Sequence, residues 1–136
     1  MQAVKQGNYH AVNKLLVNHV YFKDDVLEIK DKLKRTALAW ASLTGRAEIV
    51  RLLVQFGADP VSLNENKDIT PLHYAAAGGH DEIVRFYCRQ NVDLNIKDMS
   101  GSTPLSTAVF YNRINTVKTF IHTDKVDEES ILGIFI

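Results

Sequence analysis

The residues that could carry chemistry are few. His73 and His80 lie seven apart across Gly78-Gly79, which is not the i, i+4 spacing that puts two ligands on one helical face. His10, His19 and His122 have no carboxylate or cysteine at ligand spacing and read as surface or packing residues. Cys88 is the single cysteine. It permits no intrachain disulfide, and its apolar neighbours suit a buried, inert thiol better than a nucleophile. Asp24-Asp25 resemble a paired carboxylate, but they sit in the alternating stretch KDDVLEIKDKLKR, which reads as a solvated insertion. No phosphate-binding glycine loop and no Gly-x-Ser-x-Gly elbow occurs. The expectation is a non-enzyme without metal or cofactor.

Composition narrows the partners. The chain has 136 residues, and sixteen basic side chains balance sixteen acidic ones. No global field draws it toward nucleic acid or an anionic membrane. The local basic cluster Lys30, Lys32, Lys34 and Arg35 is interrupted by Asp31 and flanked by Glu28, without interleaved aromatics for base stacking. No apolar run is long enough for a membrane span, and the polar start MQAVKQG does not read as a secretory signal. With one cysteine, this points to an intracellular, cytoplasmic setting, with the nucleus left open.

The elements that position these residues emerge from a repeat. Thr36, Thr70 and Thr103 stand 34 and 33 residues apart. Leu38, Leu72 and Leu105 move with them, as do Ala41, Ala75 and Ala108, Val50, Val84 and Val117, and Gly45, Gly79 and Asn112. Each column has a physical role. Thr70-Pro71 and Thr103-Pro104 predict an N-cap hydroxyl followed by proline at the first helical position, where its missing donor costs nothing. Gly45 and Gly79 predict left-handed stops after a short helix. Ala47–Val54 and Glu82–Cys88 predict a second, amphipathic helix, ended by Gly57 and, in the matching place, by Asn91.

These residues resemble the ankyrin repeat family. Thr70-Pro71-Leu72-His73-Tyr74-Ala75-Ala76-Ala77-Gly78-Gly79-His80 follows the family pattern almost throughout, and Ile49-Val50 with Gly57-Ala58-Asp59 supplies its later part. The fourth unit keeps Gly101-Ser102-Thr103-Pro104-Leu105 but loses the histidine and the inter-helix glycine. Ala3, Gly7, Val12 and Leu15 align with Ala41, Gly45, Val50 and Leu53 at an offset of 38, so four extra residues fall between Asn18 and Asp31. The resemblance implies an all-α solenoid of about four stacked helix-turn-helix units, approximately 1–30, 31–64, 65–97 and 98–124. Residues 125–136 would be a C-terminal cap or tail, folding its apolar end back over the last unit.

The resemblance further implies a monomeric module that binds another protein or peptide on its concave face. It assigns His73 to hydrogen bonds between neighbouring turns. The carried-over surface positions are Lys32, Leu33 and Arg35, then Asn66, Lys67 and Ile69, then Met99 and Ser102, with Leu43, Phe110 and Tyr111 at the ends of first helices. Leu33, Ile69 and Met99 would form a row of apolar anchors. Exposure is expected for these three and for Leu43, Phe110 and Tyr111, unless the two aromatics fill space left by the missing glycine at Asn112. Trp40 is expected to pack between the second and third units. The alternative function is the recruiting segment of a larger multidomain protein whose catalytic domain lies elsewhere.

Overall fold

The computed structural model describes residues 1–18, 27, 29–33, 35–61, 69–123, 125–128 and 131. Among them are eight α-helices in four pairs. They are α1 (Gln2–Lys5) and α2 (Tyr9–Asn18), α3 (Ala37–Thr44) and α4 (Ala47–Gln55), α5 (Pro71–Gly78) and α6 (Asp81–Cys88), and α7 (Pro104–Phe110) and α8 (Ile114–His122).

The repeated threonines start the inner helices as predicted. Thr36, Thr70 and Thr103 accept hydrogen bonds from the backbone N–H of Ala39, His73 and Ser106. Gly45 and Gly79 close α3 and α5 in the left-handed region, at φ 76° and 67°. The fourth unit makes the same turn with Asn112 at φ 58°, so losing the glycine does not lose the turn. The left-handed stop expected at Asn91 does not form. α6 ends instead through tight bonds from Arg89 N to Phe86 O and from Gln90 N to Tyr87 O, 3.2 and 3.0 Å.

Among the described residues no helix has the twelve to fifteen residues, roughly, that an isolated helix needs in water. Stability comes from stacking. The first helices α1, α3, α5 and α7 pack in one row and the second helices α2, α4, α6 and α8 in another. Between the rows lie Leu38, Ala41, Ile49, Val50, Leu53, Leu72, Ala75, Ile83, Val84, Leu105 and Ala108, all buried. Each large aliphatic among them contributes about 1.5–3 kcal/mol by leaving water. One polar pair crosses this core. The Ser42 hydroxyl donates to the Leu38 carbonyl at 2.7 Å and accepts from the Tyr87 hydroxyl of the next unit at 2.5 Å.

A second periodic device ties units through backbone. The residue after each inter-helix turn reaches back across the turn of the preceding unit. His80 Nε2 donates to the Leu43 carbonyl at 2.8 Å, and Arg113 Nε donates to the Ala77 carbonyl at 2.9 Å. These side chains occupy the space beside Gly45 and Gly79, where an added Cβ would lie 2.7 Å from His80 Nδ1 and 2.6 Å from Arg113 Cδ. Arg46 crosses Gly7 in the same manner. Glycine is therefore required there twice, for its backbone and for the crossing side chain.

Beyond α8 the chain turns onto the third unit. Asn95 donates through its side-chain amide to the Lys125 carbonyl and accepts from Asp127 N, both at 2.9 Å. Val126 is buried, and Ile131 packs partly buried against the core. The rest of the apolar tail, residues 132–136, lies outside the described residues.

Candidate binding surface

The inner row of helices and its turns form the surface on which the candidate residues were placed. Its turns are built by aspartates that sequence reading passed over. Asp31 Oδ1 accepts from Leu33 N and Arg35 N at 2.9 Å each, and Asp31 N donates to the Arg35 carbonyl at 3.0 Å. Asp98 repeats this, accepting from Ser100 N and Ser102 N at 2.9 Å and donating from its N–H to the Ser102 carbonyl. Burial alone would raise the Asp31 carboxyl. The surrounding donors outweigh it and hold the group at about 2. Asp98 is lowered the same way: burial pushes upward, and the Ser100 and Ser102 donors with nearby His73 prevail. Asp31 is the member of the charged stretch read as a gap in a basic cluster, and it is a structural keystone of its turn.

His73 acts as the resemblance implies. It is buried, and its Nε2 donates to the Ser102 carbonyl of the next turn at 2.8 Å. That leaves Nδ1 as acceptor for the Thr70 hydroxyl, also at 2.8 Å. Burial lowers its affinity for a proton, against the Ser102 carbonyl and Asp98. Burial likewise pushes the Cys88 thiol up to about 11, with Lys125 opposing and Asp81 adding, so the thiolate is scarce at neutral pH. Among the described residues no group of three or more His, Cys, Asp or Glu is placed to hold a metal ion.

Trp40 finds partners that its expected packing between the second and third units did not include. Its ring lies under two cations, Lys5 Nζ at 4.5 Å and Arg35 Cζ at 4.3 Å from the centroid, and its indole N–H donates to Asp31 Oδ2. These contacts face the first unit and its own turn. The turn aspartate supplies the acceptor a half-buried indole requires.

A groove of about 540 Å³ opens along the inner face of the second to fourth units. Leu43, Ile69, Ser102, Phe110 and Tyr111 all line it, together with His73, Tyr74 and Thr107. The expected exposure of Leu43 and Ile69 is corrected here: both are half-buried in the groove wall, since neighbouring inner helices close around them. Leu33 and Met99 are exposed at turn tips and do not line the groove, whereas Ile69 does. Their positions within the turns differ: Ile69 sits directly before its threonine, while Leu33 and Met99 sit at the tips. Lys32 is exposed and Arg35 half-buried against Asp31 and Trp40.

Phe110 is 81% exposed and Tyr111 52%, with their rings edge to face at 5.0 Å. The two aromatics therefore do not fill space left by a missing glycine. Asn66 and Lys67 lie outside the described residues, as do Asp24, Asp25, Glu28, Lys34 and His19. Sequence reading missed Tyr74 and Thr107, although both occupy the column of Trp40 one and two units on.

Among the described residues no helix is long and apolar enough to cross a membrane. A family model described as ankyrin repeats in three copies matches residues 1–64 and 59–130. Transient receptor potential cation channel subfamily A member 1 of Homo sapiens is 32% identical over 134 residues, covering 93% of this chain and 11% of that protein. The inactive serine/threonine-protein kinase TEX14 of Bos taurus is 34% identical over 106 residues, covering 78% of this chain and 7% of its own length. Notch-regulated ankyrin repeat-containing protein A of Danio rerio is 38% identical over 85 residues, covering 62% of this chain and 74% of that protein. The chain thus spans about a tenth of the first two relatives. The capped helix pairs, the crossing side chains and the matched family model agree: the chain belongs to the ankyrin repeat family, whose arrays are non-catalytic scaffolds for protein–protein interaction.

Proposed function

We propose that this array docks a segment of a partner protein on its concave face, in the groove walled by Leu43, Ile69, Phe110 and Tyr111. The observation that carries the reading is Phe110, a large aromatic side chain four-fifths exposed at the edge of an apolar groove. Exposed aromatics beside a concavity supply much of the energy of interfaces, because they bury large area at little entropic cost. Leu33, Met99 and Lys32 are exposed at the turn tips, and Ser102 lines the groove. A single thiol suits a reducing intracellular setting.

The test is capture of binding proteins from a native lysate on the whole chain, compared with Phe110→Asp/Tyr111→Ser. Both positions are exposed, so far-UV circular dichroism of the variant should match the parent. Partners should be lost from the variant. A variant that retains every captured protein at parental yield refutes docking in this groove.

The small share of the long relatives that the chain covers supports a second reading, in which the array recruits partners to a larger protein. Fusing the chain to an unrelated soluble reporter tests it: the reporter should then co-purify with the captured proteins.

A further inference from the structure

Columns of the repeat run along the concave face. Arg35, Ile69 and Ser102 share one column, and Trp40, Tyr74 and Thr107 share another. At the third and fourth units both columns line the groove, through Ile69, Tyr74, Ser102 and Thr107. At the second unit the same columns carry Arg35 and Trp40, and Leu43 on the same helix as Trp40 already lines the groove. The columns that line the groove at the third and fourth units are carried on to Arg35 and Trp40 at the second, and there their chemistry changes.

Three cations stand at that end. Lys5 and Arg35 lie over the indole, and Lys32 is exposed in the turn that holds Asp31. The carboxylate tied into this corner is Asp31. Its Oδ2 accepts from Arg35 Nε at 3.0 Å and from the Trp40 indole, while Oδ1 takes two backbone N–H groups. Among the described residues Asp31 pairs with Arg35, and Lys5 and Lys32 add their charge to the same corner. Other ion pairs among the described residues, Arg51–Glu82 and Arg85–Asp81, lie on the second helices. At the other end the charged liner is Asp98, and its Oδ1 is occupied by Ser100 and Ser102.

We infer that the concave face is polar along its length and takes an extended segment of a partner protein. The segment places acidic side chains over the Lys5–Trp40–Lys32 corner and a large apolar side chain in the groove between Ile69, Phe110 and Tyr111. This rests on the docking reading above and adds the partner's chemistry and direction. From α3 to α7 there are two interhelix steps of about 8–10 Å, so the two ends lie about 16–20 Å apart. An extended chain covers that with about five or six residues, at about 3.3 Å each. The Lys5 ammonium over the indole and the exposed Lys32 can give carboxylates charge-assisted hydrogen bonds, while the groove supplies the apolar anchor.

The probe is a displayed library of random peptides about a dozen residues long, selected on the whole chain. Enriched peptides should carry Asp or Glu about five or six positions from a Leu, Phe, Trp or Met. Anisotropy with one labelled winner should show at least about tenfold weaker binding to Lys5→Glu/Lys32→Glu at low salt, and the difference should shrink as salt rises. Selection on that variant should enrich Lys or Arg in place of the acids and keep the apolar position. Lys5→Gln/Lys32→Gln, which introduces no new charge, should show an intermediate loss and serves if the Glu variant loses helical content.

Apolar enrichment with no acidic preference, or the same acidic winners on the reversed variant, overturns the polarity and leaves the docking reading standing. Winners that bind Phe110→Asp as tightly as the parent overturn the docking reading itself. No enrichment at all overturns both. An oligothymidylate that binds more tightly than the winners overturns a protein segment as the occupant.

Discussion

Asp31→Asn tests the corner on which the second unit's turn and Trp40 both depend. Asparagine keeps one carbonyl oxygen for the N–H groups of Leu33 and Arg35, but puts an NH2 where Oδ2 now accepts from Arg35 Nε and the indole. Two donors would then face two donors. A carboxyl that titrates at about 2 instead of 3.8 is stabilised in its charged form by about 2 kcal/mol relative to the unfolded chain. The carboxylate stands in a turn whose tip is exposed, so about 2 kcal/mol is an upper bound before screening by solvent. The folded-state value is depressed, so this stability is fully present above pH 3.8 and is lost as pH falls through about 2. Urea denaturation should show the variant about 1–2 kcal/mol less stable at pH 7, with the difference reduced by about half or more at pH 2.5. Trp40 is the single tryptophan, so its fluorescence reports this corner while circular dichroism reports all four units. Because repeat stacks can open from an end, the variant's fluorescence transition should precede its helical one. A difference below about 0.5 kcal/mol at pH 7, or one equally large at pH 2.5, refutes the assignment of Asp31 as an ionised turn anchor.

Two further substitutions probe the ties between units. His73→Leu leaves the buried Thr70 hydroxyl and the Ser102 carbonyl without the ring and should cost about 2–4 kcal/mol by urea denaturation. In the parent, burial lowers the His73 pKa, so its contribution is complete above pH 6.5 and declines as pH falls below it. That decline should be missing in the variant, and a parental acid limb there would assign it to another group. Gly79→Ala meets both a φ of 67° and the Arg113 side chain that donates to Ala77, whereas Gly101→Ala at φ 82° meets open space. The first should cost about 2–3 kcal/mol and the second about 1–2 kcal/mol. Equal losses would show that the Arg113 crossing contributes nothing.

The repeat was legible because its columns answer local demands. A threonine cap, a proline at the first helical position and a glycine stop are chosen by backbone chemistry within a few residues, so Thr70, Pro71 and Gly79 declare themselves in the chain. Asn91 misled because its helix could end by tight backbone bonds alone, without a left-handed residue. Asn112 preserved the turn the glycine had made elsewhere, and this is why Phe110 and Tyr111 are free to project.

The binding surface was legible only in part. Leu43, Ile69, Ser102, Phe110 and Tyr111 were chosen singly, by position in the repeat, and the stack brings them to one groove. Leu33 and Met99 shared the same apolar chemistry but not the same height, and the stack leaves them outside it. What the chain determined by itself was its unit: helix starts, stops and the apolar columns that must be buried, each set by neighbours within a few positions. What only the tertiary structure decided was which side chains from different units meet. Lys5 comes to Trp40 across some thirty-five residues of chain, and Arg113 reaches Ala77 across the stack. The reason is that a short helix has no stable surface until its neighbours cover one face, so the identity of the exposed face, its groove and its charge are properties of the stack.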